Sequence, residues 1–327
     1  MSHRQRMEAC LAGVEPDRPP VSMWRHFPVD DQSPESLASA VVEFQNAYDF
    51  DFVKVTPSSS FSIYDWGSRD VWRGSSEGTR EYIGSVIKRP EDWESLGILD
   101  SHSGHLGSQL DCLRLITKEL GPEVPVIQTI FSPLSQAKNL AGRSNLLVHI
   151  RRYPEALQAG LKTIAETTQQ FIEAAKQTGI AGIFFAVQHA QYGLLSADEY
   201  SAFGRRFDLP LLRSAEGMWL NILHLHGDEV MFDQVADYSV EVINWHDRNT
   251  PPSLSVAKES FPGVVCGGLK QWETMVLGTP VDVAEEARDA IQSTRGQRFI
   301  LGTGCVLPII TPRGNILAAR RSVEIGG

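Results

Sequence analysis

The chain has 327 residues, 42% hydrophobic and 21% charged, a balance that suits a soluble globular protein with a large core. Its formal net charge of −10, with Lys and Arg scattered in short pairs, excludes the concentrated basic surface that nucleic-acid phosphates require. Because no apolar stretch reaches membrane-spanning length, MSHRQRMEACLAG lacks a signal-peptide layout, and Cys10, Cys112, Cys266 and Cys305 form no CxxC pair, a reduced cytoplasmic protein without nucleic-acid or membrane partners is expected.

In chain order, the first candidate strand is PPVSMW (19–24), followed by the helix pattern SPESLASAVVEFQNAY. DFVKVT (51–56) is the second. The stretch 61–110 after it exceeds an ordinary connection and holds a hairpin-like turn at SSEG (75–78), so it reads as an insertion capping one end of the fold. VPVIQTI (124–130) leads to the helix patterns SPLSQAKNLAG and PEALQAGLKTIAETTQQFIEAAKQTG. IAGIFFAV (180–187) precedes SADEYSAFGRRFDLPLLRSAEG, where Ser196 with Glu199 three residues on forms a capping box. WLNILHLH (219–226), VEVINW (240–245), GVVCGGL (263–269) and RFILGTG (298–304) complete the strands. The late helix patterns TPVDVAEEARDAIQS and TPRGNILAARRSVE each place Pro in the first turn. Most strand runs are continuously apolar, as in parallel strands covered on both faces. Eight strands alternating with helices predict an α/β fold, a single (β/α)8 TIM barrel over 1–327 with the inserted cap after strand two, and chemistry at the carboxyl ends of the strands.

Five of the nine histidines fall at those ends: His26, His189, His224, His226 and His246. In ILHLHGD, His224 and His226 stand at i and i+2 and share one face of a strand. Cys305 ends the eighth strand and can face them across the mouth of a closed ring. Two imidazoles and a thiolate suit zinc, and three protein ligands leave the open position of a catalytic site. The same residues also read as a packed strand end, since buried His and Cys are often only packed. Asp228 either orients a histidine or caps the next turn; Gln188, His189 and His246 either touch substrate or satisfy local backbone. The sequence has no GxSxG elbow, no Walker loop and no GxGxxG opening a helix.

The ordered set PDRPPV (16–21), IFSPLSQAKNLAG (130–142), LLSADEYSAF (194–203), ILHLHGD (222–228), VINWHD (242–247), VVCGGL (264–269) and FILGTGCVLPIITPRGNILA (299–318) resembles the uroporphyrinogen decarboxylase superfamily along essentially the whole chain. The resemblance implies the same barrel and one of two chemistries, cofactor-free decarboxylation of uroporphyrinogen or zinc-dependent methyl transfer between corrinoid proteins and thiols or other carriers. The decarboxylases carry an Arg-Gln-x-Gly-Arg element after the first strand and an Asp after the second. Here MWRHFPVDD and VKVTPSSSF leave only Arg25 and no such Asp. The methyltransferases carry His-x-Cys after the fifth strand and a Gly-Cys-x-x-Pro-like element after the eighth; HLHG and GTGCVLP fall there, with His226 in place of the first Cys.

The resemblance therefore implies a zinc-dependent methyltransferase with His224, His226 and Cys305 as metal ligands. It would move a methyl group between a corrinoid (cobalamin) cofactor on a separate partner protein and a thiol or other small methyl donor or acceptor. Arg25, His189 and His246 are expected to position the substrate, with Tyr64, Trp66 and Trp72 closing over it. Two alternatives stay open, a decarboxylase of a different carboxylate anchored by Arg25 and a non-catalytic ligand-binding barrel. Relatives of this fold commonly pair, which makes a homodimer an open expectation.

Overall fold

Continuously apolar strands need cover on both faces, and a parallel sheet flanked by helices supplies it. The computed structural model describes residues 1–324. Its strands are β1 (Val53–Val55), a short pair β2 (Asp70–Val71) and β3 (Glu81–Tyr82), then β4 (Val126–Phe131), β5 (Gly182–Val187), β6 (Ile222–Leu225), β7 (Val242–Trp245), β8 (Val264–Leu269) and β9 (Phe299–Thr303). Seven of them form one parallel sheet in the order β1-β4-β5-β6-β7-β8-β9. Helices such as Gly104–Leu120, Pro154–Lys176 and Pro280–Thr294 lie between consecutive strands in the chain, and Pro34–Tyr48 precedes β1.

The first predicted strand, 19–24, forms no ladder. It makes single parallel bridges, Val21 with Leu301 and Arg25 with Leu307. Its backbone nevertheless joins the two edges of the sheet: Leu301 N–H donates to Pro20 O (2.8 Å), Ser22 N–H to Leu301 O (3.0 Å) and Asp51 N–H to Val21 O (2.9 Å). Pro19 and Pro20 have no N–H to donate, which limits how far pairing can extend toward the start of this segment.

Alternation along each strand divides the core in two. Phe52, Ile127, Phe184, Ile222, Val242, Val264 and Ile300 pack together on the inner face of the curled sheet with Trp24 and Met7. Their odd-numbered or even-numbered neighbours Val53, Ile183, Leu223, Ile243, Val265 and Leu301 pack outward in the larger cluster that includes the helices. A residue's face is therefore set by parity within its strand, and His224 and Asn244 share the parity of the inner residues Ile222 and Val242.

The stretch 61–110 is not one inserted unit, because the helix Gly104–Leu120 begins inside it and buries Leu106, Leu110, Leu113 and Ile116 at helical spacing. The antiparallel pair within it has two residues on each side, Asp70 opposite Tyr82 and Val71 opposite Glu81. Two of the three aromatic residues expected to close over a substrate are used elsewhere. Trp66 Nε1 donates to Gly97 O (2.7 Å), and Tyr64 packs on His105 with ring centroids 3.9 Å apart.

At the opposite end of the strands from the histidines, Asp51 ties the N-terminal helix His3–Ala12 to the sheet. It is fully buried and accepts from Arg6 (2.6 Å), Arg18 (2.7 Å) and the Val21 N–H (2.8 Å), with His3 Nδ1 at 3.2 Å. Burial alone would push this carboxyl up; the hydrogen bonds from His3 and Arg18 outweigh it and hold the group at about 2. A carboxylate with a depressed native pKa adds stability above its unfolded value and loses it as pH falls through about 2. Asp51→Ala, which takes the buried carboxylate from Arg18 and the acceptor from the Val21 N–H while Arg6 keeps Asp17, is expected to cost about 3–5 kcal/mol in chemical denaturation at neutral pH. Asp51→Asn, which keeps an acceptor for Val21, should cost less, and a loss below about 1 kcal/mol for the alanine variant would reduce the cluster to a surface-like ion pair.

Candidate metal centre

The carboxyl ends of β6, β7 and β9 bring His224, His226, His246 and Cys305 together, one ligand atom from each lying within 4.8 Å of all the others. Cys305 Sγ is 3.6 Å from His224 Nε2 and 3.6 Å from His226 Nδ1. The approach of β9 to β7 depends on Gly304, where a Cβ would lie 2.7 Å from His246 Cα and 3.0 Å from Trp245 O. Any larger residue would push Cys305 away from the histidines.

Asn244, one residue before Trp245 at the end of β7, fixes the state of His224. Its Nδ2 donates to the carbonyls of Cys266 (2.9 Å) and Thr303 (3.0 Å), so its Oδ1 is the atom turned to His224 Nδ1 at 2.7 Å. The imidazole must then donate from Nδ1, which leaves a lone pair on Nε2 directed toward Cys305. Phe184 stacks on the ring with centroids 5.1 Å apart and holds its plane. His246 Nε2 is buried without any hydrogen-bond partner among the described residues.

Burial sets the electrostatics. Desolvation, then the neighbouring His226 and His246, holds His224 well below the usual histidine range. Desolvation and His246 lower His226 to about 4, and desolvation lowers His246. All three are therefore neutral donors at physiological pH, the form that binds metals. Burial pushes the Cys305 thiol up to about 11, against the pull of a backbone hydrogen bond at Val306 and the charge of Lys54. A bound cation is the group that would reverse that preference and hold the thiolate.

The cluster lies in a cavity of about 470 Å³. His26, Gln188, Asp228, Glu77, Thr79, Arg80 and Tyr82 also line it, as does Lys54, which sequence reading passed over. Gln188 Oε1 is buried there with no partner. Arg25 is not brought to this cavity. Trp24 and His26 face inward, so parity turns Arg25 to the other side, where its guanidinium lies 5.1 Å from the Phe27 ring centroid and 5.6 Å from that of Phe44. His189 is buried behind the wall, its Nδ1 unpartnered, and does not line the cavity. His246, expected beside the substrate, stands inside the candidate metal cluster itself. Asp228 makes no hydrogen bond to a histidine among the described residues; the orienting part belongs to Asn244, whose signal in the sequence was only its position two residues before His246 on an otherwise apolar strand.

Neutral buried histidines make stability depend on pH in a defined direction. Their native pKa values lie below the unfolded value near 6.5, so the unfolded chain takes up protons first and stability falls as pH drops from 6.5 toward 4. For metal-free protein, urea midpoints are expected to decline across this window, with His226 alone contributing roughly 3 kcal/mol. A flat profile between pH 7 and 5 would mean that the imidazoles are solvated.

The uroporphyrinogen decarboxylase (URO-D) family pattern matches residues 2–324. Methylcobamide:CoM methyltransferase MtbA of Methanosarcina acetivorans is 22% identical over 239 residues, 72% of this chain and 68% of the relative. A protein of Sorangium cellulosum described as uroporphyrinogen decarboxylase is 25% identical over 242 residues, 71% of this chain and 67% of the relative. Among solved structures, a methyltransferase from Methanosarcina mazei superposes with a TM-score of 0.87 at 18% identity, covering 99% of this chain and 98% of the other, a likeness of fold. With nearly every residue matched by one family pattern, the chain belongs to the uroporphyrinogen decarboxylase family.

Proposed function

We propose that the protein is a zinc-dependent methyltransferase, an enzyme that moves a methyl group between a corrinoid carried by a separate protein and a thiol or other small methyl donor or acceptor. The observation that carries this reading is the His224, His226, His246 and Cys305 cluster. A tetrahedral zinc with Zn–S near 2.3 Å and Zn–N near 2.0 Å separates sulfur from nitrogen ligands by about 3.5 Å. The two Cys305 to histidine separations are 3.6 Å each. Curated relatives named for methylcobamide:CoM methyl transfer support the reaction class. The reading also takes the fold as a complete (β/α)8 barrel in one domain, with 20–22 as its first strand closing the ring and 61–103 as a cap, supported by Glu77, Thr79, Arg80 and Tyr82 on the cavity wall.

When bound, zinc supplies Lewis acidity, lowering the pKa of a substrate thiol or polarising a methyl–heteroatom bond. His224, His226 and Cys305 hold it, and His246 is either the fourth ligand or the residue beside the substrate. Asn244 keeps His224 in the tautomer whose Nε2 lone pair faces the site. Gln188 offers an unpaired buried amide oxygen to a substrate donor. Arg25 and His189 lie off the cavity, so substrate positioning falls to the residues that line it.

A relative described as uroporphyrinogen decarboxylase keeps a second reading in view, cofactor-free decarboxylation of another carboxylate. Elemental mass spectrometry and methyl-transfer assays separate the two. About one zinc per chain is expected in the wild type, lost in His224→Ala and Cys305→Ala, with methylcobalamin demethylation by small thiols falling at least about a hundredfold in both. Asn244→Leu should weaken zinc binding by about 10–100-fold while leaving the ligands in place. Carbon dioxide release that survives zinc removal would select the decarboxylase reading instead.

A further inference from the structure

Two buried donors on the cavity wall lack an acidic counterpart. Lys54, on β1 and 7% exposed, donates to Thr56 Oγ1 (3.2 Å) and lies over the Phe184 ring, 4.7 Å from its centroid. No described carboxylate comes within 4.0 Å of its ammonium. Trp24, 2% exposed and 5.9 Å from Lys54 Nζ by its ring centroid, also lines the cavity, and its Nε1–H is buried with no acceptor. A buried ammonium with one neutral acceptor and a buried indole N–H with none each cost free energy that a partner would recover. The acids that line the same cavity, Glu77, Asp228 and Glu273, are all exposed. Negative charge thus sits toward solvent, and the Lys54 amine lies deep, beside the His and Cys cluster, with no acid to match it.

We propose that Lys54 and the Trp24 Nε1–H form a subsite for an acidic group, a carboxylate or a sulfonate, on the small molecule that the metal centre acts upon. This rests on the methyl-transfer reading for the identity of that molecule as substrate. The acidic group accepts from both donors and satisfies the Trp24 N–H. Because the subsite and the cluster share one cavity, it also orients the reacting end toward Cys305 and the histidines. Lys54 and Trp24 are here binding residues that discriminate acidic from neutral molecules of the same size.

Calorimetric titration tests this. Zinc-loaded protein is titrated with mercaptopropionate, mercaptoethanesulfonate and neutral mercaptoethanol, and metal-free protein with butyrate and butanol. At least one acidic thiol is expected to bind roughly tenfold more tightly than the neutral one, since a charge-assisted hydrogen bond is worth about that much. Butyrate should likewise exceed butanol. Lys54→Met should bring both ratios to about one, Lys54→Arg should restore part of them, and Trp24→Phe, which keeps the ring, should lower them severalfold. The carboxylate and sulfonate arms tell which acid is preferred. Equal binding of acidic and neutral partners in the wild type, or ratios unchanged in both Lys54→Met and Trp24→Phe, would overturn the subsite. If no thiol binds but a Lys54-dependent preference for butyrate persists, the subsite is supported and the metal reading falls.

Discussion

The Asn244 side chain makes the hydrogen bonds on which the geometry of the candidate centre depends. A primary amide has one acceptor oxygen and two donor hydrogens, and here both hydrogens are committed to the carbonyls of Cys266 and Thr303, at the ends of β8 and β9. The oxygen has only one role left, to accept from His224. Three strands and one imidazole are thus coupled through a single buried group whose orientation admits no alternative without orphaning two carbonyls. The ring nitrogen that faces Cys305 is unprotonated as a consequence of backbone bookkeeping elsewhere in the sheet.

Around that amide, burial does the rest. Three imidazoles and a thiol in a desolvated pocket all favour their neutral forms, which removes the mutual repulsion that charged groups at these separations would suffer. The same desolvation lowers Lys54 to about 7, with Cys305 pulling the other way. The pocket is therefore poised: a cation would convert the thiol to thiolate and match the imidazole lone pairs, and an anion would hold Lys54 charged.

Construction of the fold explains why these groups meet. Parity along the strands sends Ile222 and His224 inward and Leu223 and Leu225 outward to the helices. Parallel register then sets Ala186, His224, Asn244 and Cys266 side by side. Residues 20–22 join the sheet's edges, so β9 and its Cys305 are brought round to face β6 and β7. Asp51 fastens that joining segment from the far end through Val21, Arg6 and Arg18, which leaves the carboxyl ends free for chemistry.

Much of this was legible in the sequence because it is local. Seven of the eight apolar runs are strands within one to three residues of their predicted limits, since a continuous apolar run has few other ways to be buried. The i, i+2 spacing of His224 and His226 placed both on one face, and GTGC placed a cysteine at a strand end. What the sequence could not decide is which side chains meet across the sheet. Arg25 sits one position out of phase with Trp24 and His26 and turns away, while His246 enters the cluster and His189 falls behind the wall. Lys54 reads in sequence as an ordinary charge in an apolar strand, and Asn244 as a polar interruption of another; only the register of distant strands, fixed by packing of the whole sheet, makes one an unmatched buried cation and the other the orienter of a histidine. Periodicity specifies the face a residue points to, whereas convergence on a common centre is a long-range property set by how the strands are staggered and curled.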